Sequence, residues 1–219
     1  MTVRCNQYTL LTMRLVCISD THNSLDRINI PDGDVLIHAG DLTMMGSVVE
    51  TTQELIKLAR LPHRTKILVA GNHDFLPERE PALFAAMARD AGVIYLQDSC
   101  HTVDGVSFFG APWTPELRRW AFYYPRTQAV ERWQNLPHVD VLITHAPPLG
   151  YGDLLDEGVR RVGCGGLLSA VTQTKPKYHI FGHIHCSRGT YRGVNTTFIN
   201  AACMDEDYNV CGGGIVVDL

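Results

Sequence analysis

The sequence predicts an α/β fold in a single domain, and three observations predict it. Short runs rich in Val, Ile and Phe recur along the chain, these runs are apolar at successive positions, and helical patterns lie between several of them. Successive apolar positions mark strands buried on both faces. Strands alternating with helices imply βαβ units, a largely parallel sheet and helices outside it. At 219 residues the chain is long enough for one sizeable core, and it falls within the size range of one domain.

The expected strands, in order, are MRLVCIS (13–19), DVLIHAG (34–40), KILVAG (66–71), VSFFGAP (106–112), VDVLITH (139–145), YHIFGH (178–183), TTFINA (196–201) and GIVVDL (214–219). The expected helices are SVVETTQELIKLAR (47–60), EPALFAAMARDAG (80–92) and CGGLLSAVTQT (164–174). Residues 1–12 precede the first strand and have no sustained apolar stretch, so they read as a flexible extension or an early start codon and not as a secretory signal. The domain is then expected over 13–219. No internal repeat or low-complexity tract interrupts it.

Apolar residues make up 45% of the chain and charged ones 19%, the balance of an ordinary globular protein. A formal charge of −4 offers no general attraction to a polyanion, which argues against long nucleic acid and anionic membrane surfaces as partners. No window reaches the roughly 18 apolar residues of a membrane-spanning helix. The seven cysteines, at 5, 17, 100, 164, 186, 203 and 211, include no CxxC pair, which favours reduced thiols and a cytoplasmic location. Cys17 and Cys164 are expected in the interior. The stretch 111–133 is rich in aromatic residues, with Trp113, Trp120, Phe122, Tyr123, Tyr124 and Trp133, and reads as either a structural connection or a rim over a pocket.

The chemistry sits just after the strands. The first is followed by Asp20-Thr21-His22, the second by Asp41, the third by Asn72-His73-Asp74, the fifth by His145 and the sixth by Gly182-His183-Ile184-His185. Open α/β sheets place their sites at the carboxyl ends of their strands, so these five ends bring Asp, Asn and His side chains to one edge. Taken singly, such residues are usually turn formers or satisfied core residues. Their joint arrival at five strand ends is what points to a metal centre. His38, His63, His101, His138 and His179 fall outside the pattern and read as structural or exposed, with His63 a residue that could approach the site. A mixed imidazole and carboxylate set without thiolate suits Mn, Fe, Zn or Co. Seven candidate ligands exceed the need of one ion and fit two ions sharing a carboxylate.

D-x-H, G-D, G-N-H-D, a lone His after a strand and G-H-x-H, in that order from Asp20 to His185, resemble the signature of the calcineurin-like metallophosphoesterase superfamily. APWTPE, WAFYYPR, LITHAPPLGYGD and RRVGCGGLL are similar to its small metallophosphoesterase-domain-containing subfamily. The resemblance implies a four-layered αββα sandwich and hydrolysis of small phosphodiesters, cyclic nucleotides among them. It implies two divalent ions, manganese first, with Asp20, His22, Asp41 and His185 holding one and Asp41, Asn72, His145 and His183 the other. It makes His73 the catalytic imidazole and Asp74 its support. The GNHD block ends in Asp where Glu is common in the subfamily, and the presence of His183 implies a complete second site.

Paired ions make hydroxide available near neutral pH and neutralise phosphoryl oxygens, so a bridging hydroxide attacking phosphorus, with His73 protonating the leaving oxygen, is the mechanism expected. Arg160 or Arg161 is a candidate for meeting a phosphate oxygen, against a plain surface role, and Trp113 or Phe122 for stacking on a base. The alternatives are a phosphomonoesterase or protein phosphatase, a nuclease, and a metal-binding regulatory module without turnover. The charge argues against the nuclease and the small size against the protein phosphatase.

Overall fold

The computed structural model describes residues 12–155 and 159–219, so the expected extension, Thr12 apart, lies outside the described residues. In chain order the strands are β1 (Arg14–Ile18), β2 (Val35–His38), β3 (Thr65–Leu68), β4 (Ile94–Tyr95), β5 (Ser99–Val103), β6 (Val106–Ala111), β7 (Thr114–Pro115), β8 (Tyr123–Tyr124), β9 (Val141–Thr144), β10 (Leu154–Leu155), β11 (Arg160–Arg161), β12 (Tyr178–Phe181), β13 (Gly189–Arg192), β14 (Thr197–Asn200) and β15 (Ile215–Asp218). The helices are α1 (Val48–Ala59), α2 (Phe75–Arg79), α3 (Pro81–Asp90), α4 (Ala129–Trp133) and α5 (Gly165–Thr174).

Two sheets face each other. One has the order β15-β1-β2-β3-β4 and the other β13-β14-β12-β9-β6-β5, while β7 with β8 and β10 with β11 form small ribbons. Within each sheet the central strands are parallel, and the antiparallel ones, β15, β13 and β5, lie at the edges. Alternation along β1 shows why its run is apolar throughout. Leu15 and Cys17 enter the layer between the sheets with Ile37, Ile67, Phe108, Ile143, Ile180 and Ile199. Val16 and Ile18 face outward onto Leu55 and Leu58 of α1 and Phe84 and Ala88 of α3. On the far side Leu142, Phe181 and Phe198 meet Trp133 of α4 and Leu167 and Val171 of α5. The architecture is therefore the expected αββα sandwich, a single α/β domain.

The helices form for local reasons. Ser47 and Glu50 close a reciprocal capping box at the start of α1, whose buried residues Thr51, Glu54, Leu55 and Leu58 fall on one face at helical spacing. Pro81 opens α3, with Phe84 and Ala88 one turn apart on its inner face.

All eight long runs form strands, with one correction. GIVVDL was expected to be buried at successive positions, whereas β15 alternates half-buried and exposed residues because it is an antiparallel edge strand with one solvated face. Register keeps the carboxyl ends level, pairing Ile18 with His38 and His38 with Leu68 in one sheet and Ile143 with Ile180 in the other. A bridge between Ser19 and Ala202, with the Cys203 N–H donating to Ser19 O at 2.9 Å, ties the two sheets together at that edge.

Candidate metal centre

The chain leaves several strands through sharp turns. Asp20, His22, Asp41 and His183 have φ of 54°, 40°, 55° and 69°, in the left-handed region that residues other than glycine seldom occupy. The turns are held by their surroundings: Asp20 N–H donates to Gly40 O, and the N–H groups of Thr21 and His22 both donate to Asp41 O. Two motif glycines answer to crowding. A Cβ at Gly71 would collide with the Asp41 carboxylate, and one at Gly182 with that of Asp20.

The seven candidate ligands converge. Among the described residues, ligand atoms of Asp20, His22 and His185 lie within 4.8 Å of one another, as do those of His22, Asp41 and His73 and those of Asp41, His145 and His183. Asp41 Oδ1 accepts the His73 backbone N–H at 2.8 Å. That fixes the carboxylate so that Oδ2 faces the Nε2 atoms of His145 at 3.3 Å, His22 at 3.8 Å and His73 at 4.0 Å. Asp20 Oδ1 stands 3.3 Å from His185 Nε2, and Asn72 Oδ1 stands 3.0 Å from His145 Nε2. Asp20, Asp41, Asn72 and His145 are buried.

The hydrogen bonds behind the ligands test whether this set fits a cation. His145 Nδ1 lies 3.0 Å from Ala39 O and His185 Nδ1 lies 2.8 Å from Asp205 O. A carbonyl only accepts, so each Nδ1 carries the proton and, in the neutral ring, each Nε2 presents a lone pair. Those lone pairs meet Asp41 Oδ2 and Asn72 Oδ1 in one case, and Asp20 Oδ1 and His22 Nε2, 3.4 Å away, in the other. With the His145 ring neutral, three acceptors converge there with no donor between them. Positive charge is what the arrangement calls for, and backbone carbonyls orienting imidazoles from behind are the usual support of metal-ligating histidines.

Electrostatics agree. Burial works to raise the pKa of Asp20 and Asp41, but His185 beside the first and His145 beside the second hold both well below the usual carboxylate range. Burial opposes charge on His145 and His185, yet Asp41 lifts the former and Asp20 the latter to about 9. Burial, with His145 adding to it, pushes His183 down to about 3. Two anionic carboxylates thus draw two protons onto imidazoles, and bound cations would take those protons' place.

Not every expected role has the expected geometry. Asp74 does not reach the His73 ring: its carboxylate accepts from the N–H groups of Leu42, Thr43 and Gly71 and from the Thr43 hydroxyl, pinning the second-strand turn. His73 Nδ1 instead donates to Met44 O, 2.7 Å away. Arg161 is engaged by Asp153 Oδ1 at 2.6 Å. The Trp113 indole N–H donates to both Asp98 oxygens, the Arg132 guanidinium covers its ring at 3.9 Å, and Phe122 is buried. His63 precedes β3, at the opposite end from the centre, and pairs with Pro31 O.

Two residues at the centre lie outside the metal-ligand motifs. The Trp120 ring stands 4.2 Å from that of His73, and the Tyr208 ring 4.9 Å from that of His22 and 5.8 Å from that of His185. Both come from loops whose course is set by tertiary contacts, and the density of aromatics in 111–133, with the WAFYYPR stretch that Trp120 begins, was the signal pointing to Trp120.

A two-sheet sandwich with buried carboxylates and imidazoles gathered at its strand ends is the frame of a metal-dependent phosphoester hydrolase. The chain belongs to the calcineurin-like phosphoesterase family, which it matches over residues 13–187 and which works with a dinuclear divalent metal centre. It is 45% identical over 204 residues to the UPF0046 protein K07C11.7 of Caenorhabditis elegans, covering 87% of this chain and 69% of that protein. It is 39% identical over 230 residues to metallophosphoesterase domain-containing protein 1 of Homo sapiens, covering 94% and 71%, so the likeness extends over nearly the whole chain. The crystal structure of TT1561 of Thermus thermophilus has a TM-score of 0.59 over 86% of this chain and 88% of that one; at 13% identity this is a likeness of fold.

Proposed function

We propose that the centre hydrolyses small phosphodiesters, cyclic nucleotides among them, in the cytoplasm, as the catalytic apparatus of one domain spanning 13–219. Asp20, His22, Asp41 and His185 would hold one divalent ion and Asp41, Asn72, His145 and His183 the other, manganese being the first choice for this oxygen and nitrogen set. Such ions, when bound, neutralise phosphoryl charge and make water acidic enough to act as a nucleophile near neutral pH.

The chain's own contribution is orientation and a proton. Asp41 Oδ2, aimed by the His73 N–H on its other oxygen, draws the two ligand groups together. His73 is held through Nδ1 by Met44 O, so Nε2 points into the centre. In its protonated form it is the general acid for the leaving oxygen. Burial of Asp20 and His145 keeps competing solvent from the inner ligand atoms.

The observation that carries the diester reading is the engagement of two arginines, Arg161 and Arg188. Arg161 is held by Asp153, and Arg188 donates to the carbonyls of Ala202 and Gly213. A monoester dianion calls for positive charge beyond the ions, whereas a diester carries one charge and does not. The six described cysteines are free, which supports a reducing location.

The test uses metal-stripped protein with Mn²⁺ restored, comparing bis-p-nitrophenyl phosphate with p-nitrophenyl phosphate. Metal-dependent cleavage favouring the diester is expected. His73→Ala should lower kcat by about 10²–10⁴-fold, the usual contribution of a positioned acid. The loss should be greater for an alkyl leaving group than for p-nitrophenolate, which departs without a proton. Preference for the monoester, or equal losses for both leaving groups, would overturn the reading.

A further inference from the structure

We propose that Trp120 and Tyr208 are the specificity-determining walls of the site, selecting esters that carry a planar aromatic group, either aryl or nucleobase. Both rings already stand against centre histidines. Trp120 lies over His73 with a 41° tilt and is backed by Phe75 at 6.0 Å, and Tyr208 stands edge-on to His22 at 86°. His73 is also 6.4 Å from Tyr208, so the ring assigned to the leaving group lies between two aromatic surfaces.

Their polar ends distinguish them from the other aromatics. Trp113 directs its indole N–H to Asp98, and Trp133 donates to Tyr124 Oη. Among the described residues, neither the Trp120 N–H nor the Tyr208 hydroxyl has a partner. Tyr208 is 40% exposed, and Trp120 is half-buried. These are rings fixed in place, with donors still free for a ligand and the Tyr208 ring exposed.

The backbone that presents them is held rigidly to the metal ligands. Ala121 N–H donates to Asn72 O at 3.1 Å, and Phe122 N–H donates to Glu78 Oε1, which pins Trp120 to the third-strand turn. Asp205 Oδ1 accepts from the N–H groups of Asp207 and Asn209, while Asp205 O receives the His185 Nδ1 proton. One short loop therefore both orients a ligand and delivers Tyr208, at a φ of 60° that tyrosine seldom adopts. Base-on-aromatic stacking tolerates many ring types, so selection would be for planarity and not for one base.

The inference rests on the diester reading only for its substrates, so the test has two arms. The first takes the ratio of kcat/KM for bis-p-nitrophenyl phosphate to that for methyl p-nitrophenyl phosphate, which share a leaving group and differ in one ring. Trp120→Ala and Tyr208→Ala should each reduce that ratio by about 5–10-fold, the low end of the range for one stacked ring. Trp120→Phe and Tyr208→Phe should restore most of it. Because the readout is a ratio, a general loss of activity cancels. The second arm compares the affinity of adenosine 5′-monophosphate with that of ribose 5-phosphate by calorimetry on the Mn²⁺-loaded protein, which needs no turnover. The nucleotide is expected to bind more tightly, with an advantage that both alanine variants lose. An unchanged ratio and an unchanged affinity difference in folded variants would overturn the proposal. A protein that cleaves neither diester yet keeps the affinity difference would sink the diester reading and leave the aromatic walls standing.

Discussion

The two sheets deliver unlike halves of the centre. β1, β2 and β3 end in both carboxylates, Asp20 and Asp41, together with His22, Asn72 and His73, whereas β9 and β12 supply only imidazoles, those of His145, His183 and His185. The acidic half carries left-handed backbone at three positions, Asp20, His22 and Asp41; the imidazole half does so at His183 alone among the three. Charge and strain thus concentrate in one sheet, and the other contributes donors fitted to it. Each of the two assigned ligand sets draws on both sheets, which makes the apolar layer between them the part that sets the distance between ligands.

Breaking the acidic half should have the largest effect. Asp41 Oδ2 is the atom that faces histidines from both sheets, and asparagine would keep the shape while removing the charge. Taking one member from a buried charged set costs about 3–5 kcal/mol, so Asp41→Asn should weaken metal binding by about 10²–10⁴-fold. Titration of the metal-free protein with Mn²⁺, read by calorimetry, checks this. Two ions bound with unchanged affinity would mean that Asp41 does not join the halves.

Loosening the layer between the sheets should act on both halves at once. Phe108 is fully buried there, on β6 of the imidazole sheet. Phe108→Ala should cost about 3–5 kcal/mol of stability, which for a chain of this size lowers Tm by roughly 6–20 °C. Mn²⁺ affinity should fall with it although no ligand has changed. A variant that loses stability but binds metal as before would show that the Ser19–Ala202 bridge holds the edge together without the core.

Much of this division was legible in the sequence, and the reason is geometric. A central parallel strand buries both faces, so its composition announces it, and a side chain placed one to four residues beyond its end has little freedom to be elsewhere. The convergence of Asp20, His22, Asp41, Asn72, His145, His183 and His185 followed from that alone. Edge strands are different: β5, SCHTV, shows three exposed residues in five and reads as loop. Helix α2, FLPER, is one turn with an internal proline and has no period to detect. Trp120, Tyr208, Met44 and Asp205 were missed for a related reason. They act from loops, two of them through backbone carbonyls, which no side-chain pattern can reveal. Asp74 was misassigned because adjacency to His73 in the chain suggested contact, whereas the turn aims its carboxylate at three N–H groups and a hydroxyl.

The smallest expected effect separates two histidines of one strand. His179 and His183 leave β12 four residues apart, but His179 lies within the sheet, fully buried, its Nε2 2.8 Å from Thr144 Oγ1 and its Nδ1 without a partner. Phe181 and Phe198 flank its ring. Burial pushes its pKa down to about 3. A histidine depressed in the folded state takes up its proton more readily when unfolded, so below about pH 6.5 the unfolded chain gains a proton that the folded one refuses. Stability is therefore lost as pH falls from about 6.5 toward 3, by up to about 1.4 kcal/mol per pH unit from this residue. His179→Gln keeps a hydrogen-bonding group opposite Thr144 and cannot titrate. Between pH 7 and pH 4.5, urea unfolding of the metal-free protein should show the native chain losing about 2–3 kcal/mol more than the variant. Parallel pH profiles would mean that His179 is already protonated or already hydrated at neutral pH, and that the imidazole sheet does not distinguish a core histidine from one at its edge.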